Sequence, residues 1–213
     1  MDGTALTASD HPRADPPGRG QAAWRTLQAA TAELHAQVES TPLMAALMSP
    51  RVDARTCAEV LRRMLRIHAG WEQANAARLQ ALDWSYHPRA PVLAADLQAL
   101  GEAPAAPLAG PRADSDAEAW GMLYVVEGSA LGGRLIARHL RTHLPAQAAR
   151  IRHFADAPAG PGWQAFRDAL EQALPDEGAR RRAAAGAQAM FNHFHGQLAP
   201  PIAAGCGAGT PTA

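Results

Sequence analysis

The segment Tyr124-Val125-Val126-Glu127-Gly128-Ser129-Ala130-Leu131-Gly132-Gly133-Arg134 lies inside what otherwise reads as one long helix. Three glycines there forfeit about 1 kcal/mol each of helix propensity relative to alanine. The chain uses alanine almost everywhere else, so alanine was the easy choice. A helix that keeps glycine at such positions needs its backbone bare, either for a neighbouring helix or for a ligand.

The full 213-residue chain sets the frame for that helix. Basic and acidic residues balance at 20 each, and every basic residue is arginine. A neutral balance argues against nucleic acid as the main partner. Cys57 and Cys206 lie far apart, which suggests neither a disulfide framework nor a zinc site and fits a reducing, cytoplasmic setting. No apolar run reaches the length of a membrane span, so no membrane partner is expected. Residues 1–20 lack a basic start and an apolar centre and read as a loose N-terminal arm rather than a secretory signal.

Helical periodicity organises the rest. Gln21 to Glu39 reads as an amphipathic helix carrying Trp24, Leu27, Leu34 and Val38 near helical spacing. Thr41-Pro42 starts a short helix to Met48, and Asp53 can cap the next, which runs to about Leu82. Pro88 to Leu100 gives a shorter helix closed by Gly101, and Glu102 to Arg112 reads as a loop. Asp114 or Ser115 caps the glycine-bearing helix, which runs to about Leu144 before Pro145 stops or kinks it. Trp163 to Leu174 and Asp176 to Leu198 are two further helices, and residues 200–213 read as a disordered tail. No hairpin signal occurs. The expected fold is all-α: a single-domain multi-helix bundle over residues 21–199 with seven or eight helices.

Two constellations could carry chemistry. In Thr31-Ala32-Glu33-Leu34-His35-Ala36-Gln37-Val38-Glu39, Glu39 falls on the same helical face as His35. A carboxylate behind an imidazole can hold the Nδ1 proton and leave Nε2 free for a metal, although such pairs are also common on plain surfaces. Gly128 and Gly132 are one turn apart, with Gly133 beside them, and together read as a smooth groove or as a tight helix contact. A ligating histidine on one helix and a glycine groove on another describe a flat metal macrocycle between two helices.

At these residues the chain resembles the haem (heme) oxygenases, most closely the bacterial branch associated with bacteriophytochromes. The resemblance rests on Thr31-x-x-Leu34-His35-x-x-x-Glu39 and on Leu123-Tyr124-Val125-Val126-Glu127-Gly128-Ser129-x-Leu131-Gly132-Gly133, and helix order extends it over residues 21–199. The second motif is the specific one. It implies that His35 is the proximal ligand of haem b, which is both cofactor and substrate, and that Glu39 is its hydrogen-bond partner. Gly128, Gly132 and Gly133 would line the distal side, where the helix kinks over the haem, with Gly128, Ser129 and Gly132 as the catalytic positions. A bare backbone there would steer dioxygen toward a meso carbon and leave room for ordered water. Many haem oxygenases carry aspartate where Ser129 stands; a hydroxyl holds water but no charge. The resemblance also implies that Arg167 binds a propionate through its fork and that Phe191, with Asn192 and Phe194, packs on the haem edge or in the core. Arg25 is a weaker propionate candidate.

The implied reaction opens haem to biliverdin, with the IXα isomer expected, iron(II) and carbon monoxide, using O2 and electrons from an external donor such as ferredoxin or a reductase. A bacteriophytochrome would receive the biliverdin. Arg180-Arg181-Arg182 could help dock the donor. His139 and His143 form an i, i+4 pair without an evident third ligand, and His193 and His195 read as incidental. Two other readings stay open: a non-catalytic haem carrier or sensor, and a helical enzyme of this fold that uses Cys57 as a nucleophile, as in thiaminase-like proteins.

Overall fold

The computed structural model describes residues 22–154 and 162–200. Among them are eight α-helices and no strand: α1 (Ala22–Glu39), α2 (Pro42–Leu47), α3 (Ala54–Ala81), α4 (Ala90–Ala99), α5 (Asp116–His143), α6 (Pro145–Ala148), α7 (Gly162–Ala173) and α8 (Glu177–Leu198). The expected N-terminal arm, the C-terminal tail and Cys206 lie outside the described residues. No helix of the described chain is long and apolar enough to cross a membrane.

The helix starts follow local chemistry. The Asp53 carboxylate accepts from Thr56 N–H at 2.7 Å and the Asp176 carboxylate from Ala179 N–H at 2.8 Å. Of the two candidates before α5, Ser115 is the cap; its hydroxyl accepts from Glu118 N–H, while Asp114 N–H donates back to the Glu118 carboxylate. Gly101 closes α4 in the left-handed region with φ of 77°, which a side chain would resist. Helix α1 takes its cap from far away. Both oxygens of Glu171 on α7 accept from Ala23 and Trp24 N–H at 3.0 Å, where the helix dipole favours a carboxylate.

Small residues decide how the long helices approach. A Cβ on Gly121 would sit 1.8 Å from the carbonyl oxygen of Ala183, and one on Gly186 would sit 2.2 Å from that of Glu118. These two glycines let α5 and α8 cross backbone against backbone. The pairing of Glu118 with Gly186 and of Gly121 with Ala183 makes the two helices antiparallel. Helix α1 packs along the same α8, with Gln188 donating to Ala30 O at 3.0 Å. Thus α8 carries both helices singled out by the sequence, and α1 and α5 pack on it more than on each other. The loop after α4 is pinned rather than loose. Asn75 donates to Pro111 O and accepts from Ala113 N–H, and Gly70 admits the Leu108 carbonyl.

Candidate functional site

His35 stands on the outer face of α1, with 57% of its side chain exposed. Its Nδ1 lies 3.6 Å from a Glu39 oxygen, an ion-pair distance longer than an ordinary hydrogen bond. The ring is steadied from beneath by Phe191 on α8, edge-on at 5.7 Å between centroids. Phe191 itself is buried, Phe194 turns to His68, and Asn192 faces solvent. An imidazole more than half exposed and backed by a carboxylate on its Nδ1 side is the arrangement a metal ligand uses.

Helix α5 keeps helical pairing through all three glycines, so the implied kink does not break the helix. The Ser129 hydroxyl donates to Val126 O at 2.7 Å, a back-bond of the kind that bends helices without ending them. The three glycines do not share one environment. A Cβ on Gly132 would meet nothing within 4 Å. One on Gly128 would touch the Trp163 ring at 3.4 Å, and one on Gly133 would lie 3.8 Å from Phe154. The groove is therefore open at Gly132, lined by an indole at Gly128 and closed by the core at Gly133. Tight helix packing accounts for Gly121 and Gly186, but it does not account for Gly132.

The two helices are joined by residues the motif reading left without a role. Tyr124, one turn before Gly128, lies beside the side chain of Thr31, one turn before His35; burial holds its phenol above the usual range, with Thr31 acting the other way. Thr31 donates to Leu27 O at 2.7 Å and is buried. Trp163 lies against Tyr124, with ring centroids 5.9 Å apart. One turn further along α7, the Arg167 guanidinium lies 4.1 Å over the Trp24 ring, and its buried Nε has no hydrogen-bond partner. A stacked guanidinium with a free donor is prepared for a carboxylate, which suits a propionate. Arg25 is exposed at the surface of α1.

Behind α5, the Glu127 carboxylate accepts from Arg89 at 2.9 Å and from the Trp84 indole at 3.1 Å, in a largely buried pair. These contacts hold the turn that enters Gly128. Arg89 adjoins a second polar group. His68 on α3 faces His153 at 5.8 Å between ring centroids and Phe194 at 5.6 Å. Neither nitrogen of His68 has a partner, nor does Nε2 of His193. His193 on α8 is half-buried and its charge acts on His68, so the fold brings α3, α8 and the turn at His153 together. Asp96 pins that stretch by accepting from Arg152 and His153 N–H.

Burial pushes His153 down to about 3, with the Arg89 charge as the lesser cause. His68 also sits well below its ordinary value, through burial first and then the charges of His153, Arg89 and His193. Both rings are neutral when folded and take a proton at about 6.5 when unfolded. Below that pH the unfolded chain binds more protons, so stability falls, by up to about 1.4 kcal/mol per pH unit for each ring. Glu72, held high by burial, works in the opposite sense. We expect the urea midpoint to drop steeply between pH 6.5 and pH 5, and His153→Gln to flatten that slope. A midpoint constant over this range would refute the neutral assignment.

Two sequence candidates turn out differently placed. His139 donates to Ser49 O at 3.0 Å, which ties it to the α2–α3 turn, and His143 lies 4.4 Å from it between ring centroids. Among the described residues no three metal-binding side chains gather. Cys57 is buried, and burial, aided by the Asp96 charge, raises its thiol to about 11. A thiol so far from ionisation is a poor nucleophile, which removes the support for a Cys57 enzyme.

The described chain is thus an all-helical domain with a solvent-facing, carboxylate-backed histidine on α1, a bare turn on α5 and a ring-stacked arginine on α7. The profile of the heme oxygenase family matches residues 21–199. A heme oxygenase of Xanthomonas campestris pv. campestris (strain 8004) is 47% identical over 161 residues, covering 74% of this chain and 97% of its own. The crystal structure of the NO- and CO-bound heme oxygenase from Neisseria meningitidis superimposes with a TM-score of 0.68 at 27% identity, over 83% of this chain and 89% of that one. The chain belongs to the heme oxygenase family.

Proposed function

We propose that this chain opens haem oxidatively to biliverdin, iron(II) and carbon monoxide, with O2 and electrons from an external donor, and that His35 and the bare turn at Gly132 define the two sides of the haem site. The observation that carries the reading is Gly132: a helical glycine with no neighbour to accommodate, in a family whose relatives are named for haem. Bound haem supplies the iron at which dioxygen is reduced. His35 would ligate that iron through Nε2, with Glu39 and Phe191 fixing the ring. Arg167 would take a propionate with its free Nε–H. Gly132 keeps side chains away from the distal face. Ser129 spends its proton on Val126 O, so its oxygen is left to accept from a water at that face. The serine-bearing motif also supports the finer reading that the bilin is destined for a bacteriophytochrome.

The deciding experiment is anaerobic haem loading followed by oxygen and reductant, with chromatography of the product. Biliverdin, predominantly IXα, is expected. Intact haem after repeated reduction and oxygenation would instead mark a carrier or sensor.

A further inference from the structure

We infer that Trp24 is a positioning residue for the arginine assigned to a haem propionate: its indole holds the Arg167 guanidinium against α1 and leaves the donors of that guanidinium for a carboxylate of the ligand. The inference rests on the haem reading for the ligand, and on the contacts between α1 and α7 for the positioning.

Arg167 and Glu171 stand four residues apart on α7, the spacing at which opposite charges on a helix ordinarily pair. They do not pair. Helix α1 has no acidic residue in its own first turn, and both oxygens of Glu171 are taken by the Ala23 and Trp24 N–H groups there, at 3.0 Å. The start of α1 thus draws off the carboxylate nearest to Arg167. What Arg167 meets instead is the Trp24 ring, with Cζ 4.1 Å from the ring centroid, and its buried Nε–H has no acceptor. One residue of α1 therefore engages two successive turns of α7: its N–H meets Glu171 and its ring meets Arg167.

A guanidinium donates in its own plane, so a ring against its face costs it no donor. An arginine that grips a carboxylate from a free state must first give up rotamer freedom. The stack takes up that loss before a ligand arrives, and it shields one face of the charge from water. Trp24 also precedes His35 by eleven residues, close to three whole turns, so the two share a face of α1 about 16 Å apart along its axis. One helix face then carries an imidazole for a metal and, further along, a stacked guanidinium for a carboxylate. That pair suits a ligand with iron at its centre and carboxylates at its rim.

Trp24 is half-buried and packs on the core, so its replacement costs stability whatever its role. The test therefore reads discrimination between ligands. Haemin is compared with its dimethyl ester, which keeps the iron and the macrocycle but carries no carboxylate, in Soret titrations of the full chain. The wild type is expected to prefer haemin on the order of tenfold or more. Trp24→Leu should weaken haemin about fivefold and leave the ester as in the wild type. Trp24→Phe keeps a ring and should recover part of the loss; if the leucine variant does not fold, it carries the same comparison with a smaller shift in the same direction. In an Arg167→Gln background, Trp24→Leu should cost haemin binding nothing further.

Equal weakening of haemin and ester by Trp24→Leu, or losses that simply add to those of Arg167→Gln, would assign Trp24 to packing alone and overturn the inference. A preference lost in Arg167→Gln but intact in Trp24→Leu overturns the inference while Arg167 keeps its propionate. A preference intact in Arg167→Gln removes that arginine from the propionate and the inference with it. A wild type that binds no haemin overturns the haem reading itself.

Discussion

His35→Ala is expected to fold like the wild type and to lose haem turnover. The ring is more than half exposed, and its contacts are Glu39 at 3.6 Å and the edge of Phe191. Removing such a surface group changes stability by no more than about 0.5 kcal/mol. If Nε2 is the iron ligand, the effect on the haem complex is of another order: the Soret band shifts and biliverdin formation stops. Free imidazole in millimolar amounts should restore part of the spectrum, because it fills the space left by the side chain. Glu39→Gln keeps the ligand and weakens only its support, so a loss of about 10-fold in haem affinity is expected. Haemin titrations with thermal melts on the same samples separate fold from ligation. A Soret band identical in His35→Ala and wild type would remove His35 from the site.

The second large effect is a contrast of sign between two glycines of one helix. Gly121→Ala places a methyl group 1.8 Å from the Ala183 carbonyl oxygen and 2.6 Å from its carbon, both of them backbone. No side chain can turn aside, so α5 and α8 must separate. Overpacking of that kind costs roughly 3 kcal/mol, or about 10 °C in Tm for a domain of this size. Gly132→Ala meets nothing within 4 Å. It should therefore stabilise the ligand-free protein by up to about 1 kcal/mol, the helix propensity recovered. Its cost falls on function: the methyl group enters the face kept clear for dioxygen and water, and biliverdin formation should slow while Tm rises. Melting curves and product chromatography on the two variants test both halves. Full turnover in a stabilised Gly132→Ala would show that the bare turn serves no ligand.

This contrast shows how far the glycine segment could be read from its letters. Helical spacing and the absence of strand signals were enough for the all-α fold. The cap at Asp53 is a short-range hydrogen bond within three residues, so it was legible, and Asp176 caps its helix in the same way. The choice between Asp114 and Ser115 was not, because both can reach the first turn and only the folded geometry assigns Asp114 to a back-bond with Glu118. The ambiguity at Gly128, Gly132 and Gly133 was of a different kind. A glycine reports that space is needed but does not say for what.

The candidate site divides along the same line. The pairing of His35 with Glu39 follows from one turn of helix, and the motif around Gly128 pointed to the family directly. Phe191 under His35, Trp163 at Gly128 and Trp24 under Arg167 are contacts across helices with no signature in spacing. Thr31 with Tyr124, and His68 with His153, were equally hidden. Sequence by itself determined the helices, their caps and the face each residue occupies, because these depend on neighbours a few residues away. Only the tertiary structure decided which bare backbone meets a carbonyl and which meets open space. That depends on where α8 lies against α5, and α8 begins more than thirty residues after α5 ends.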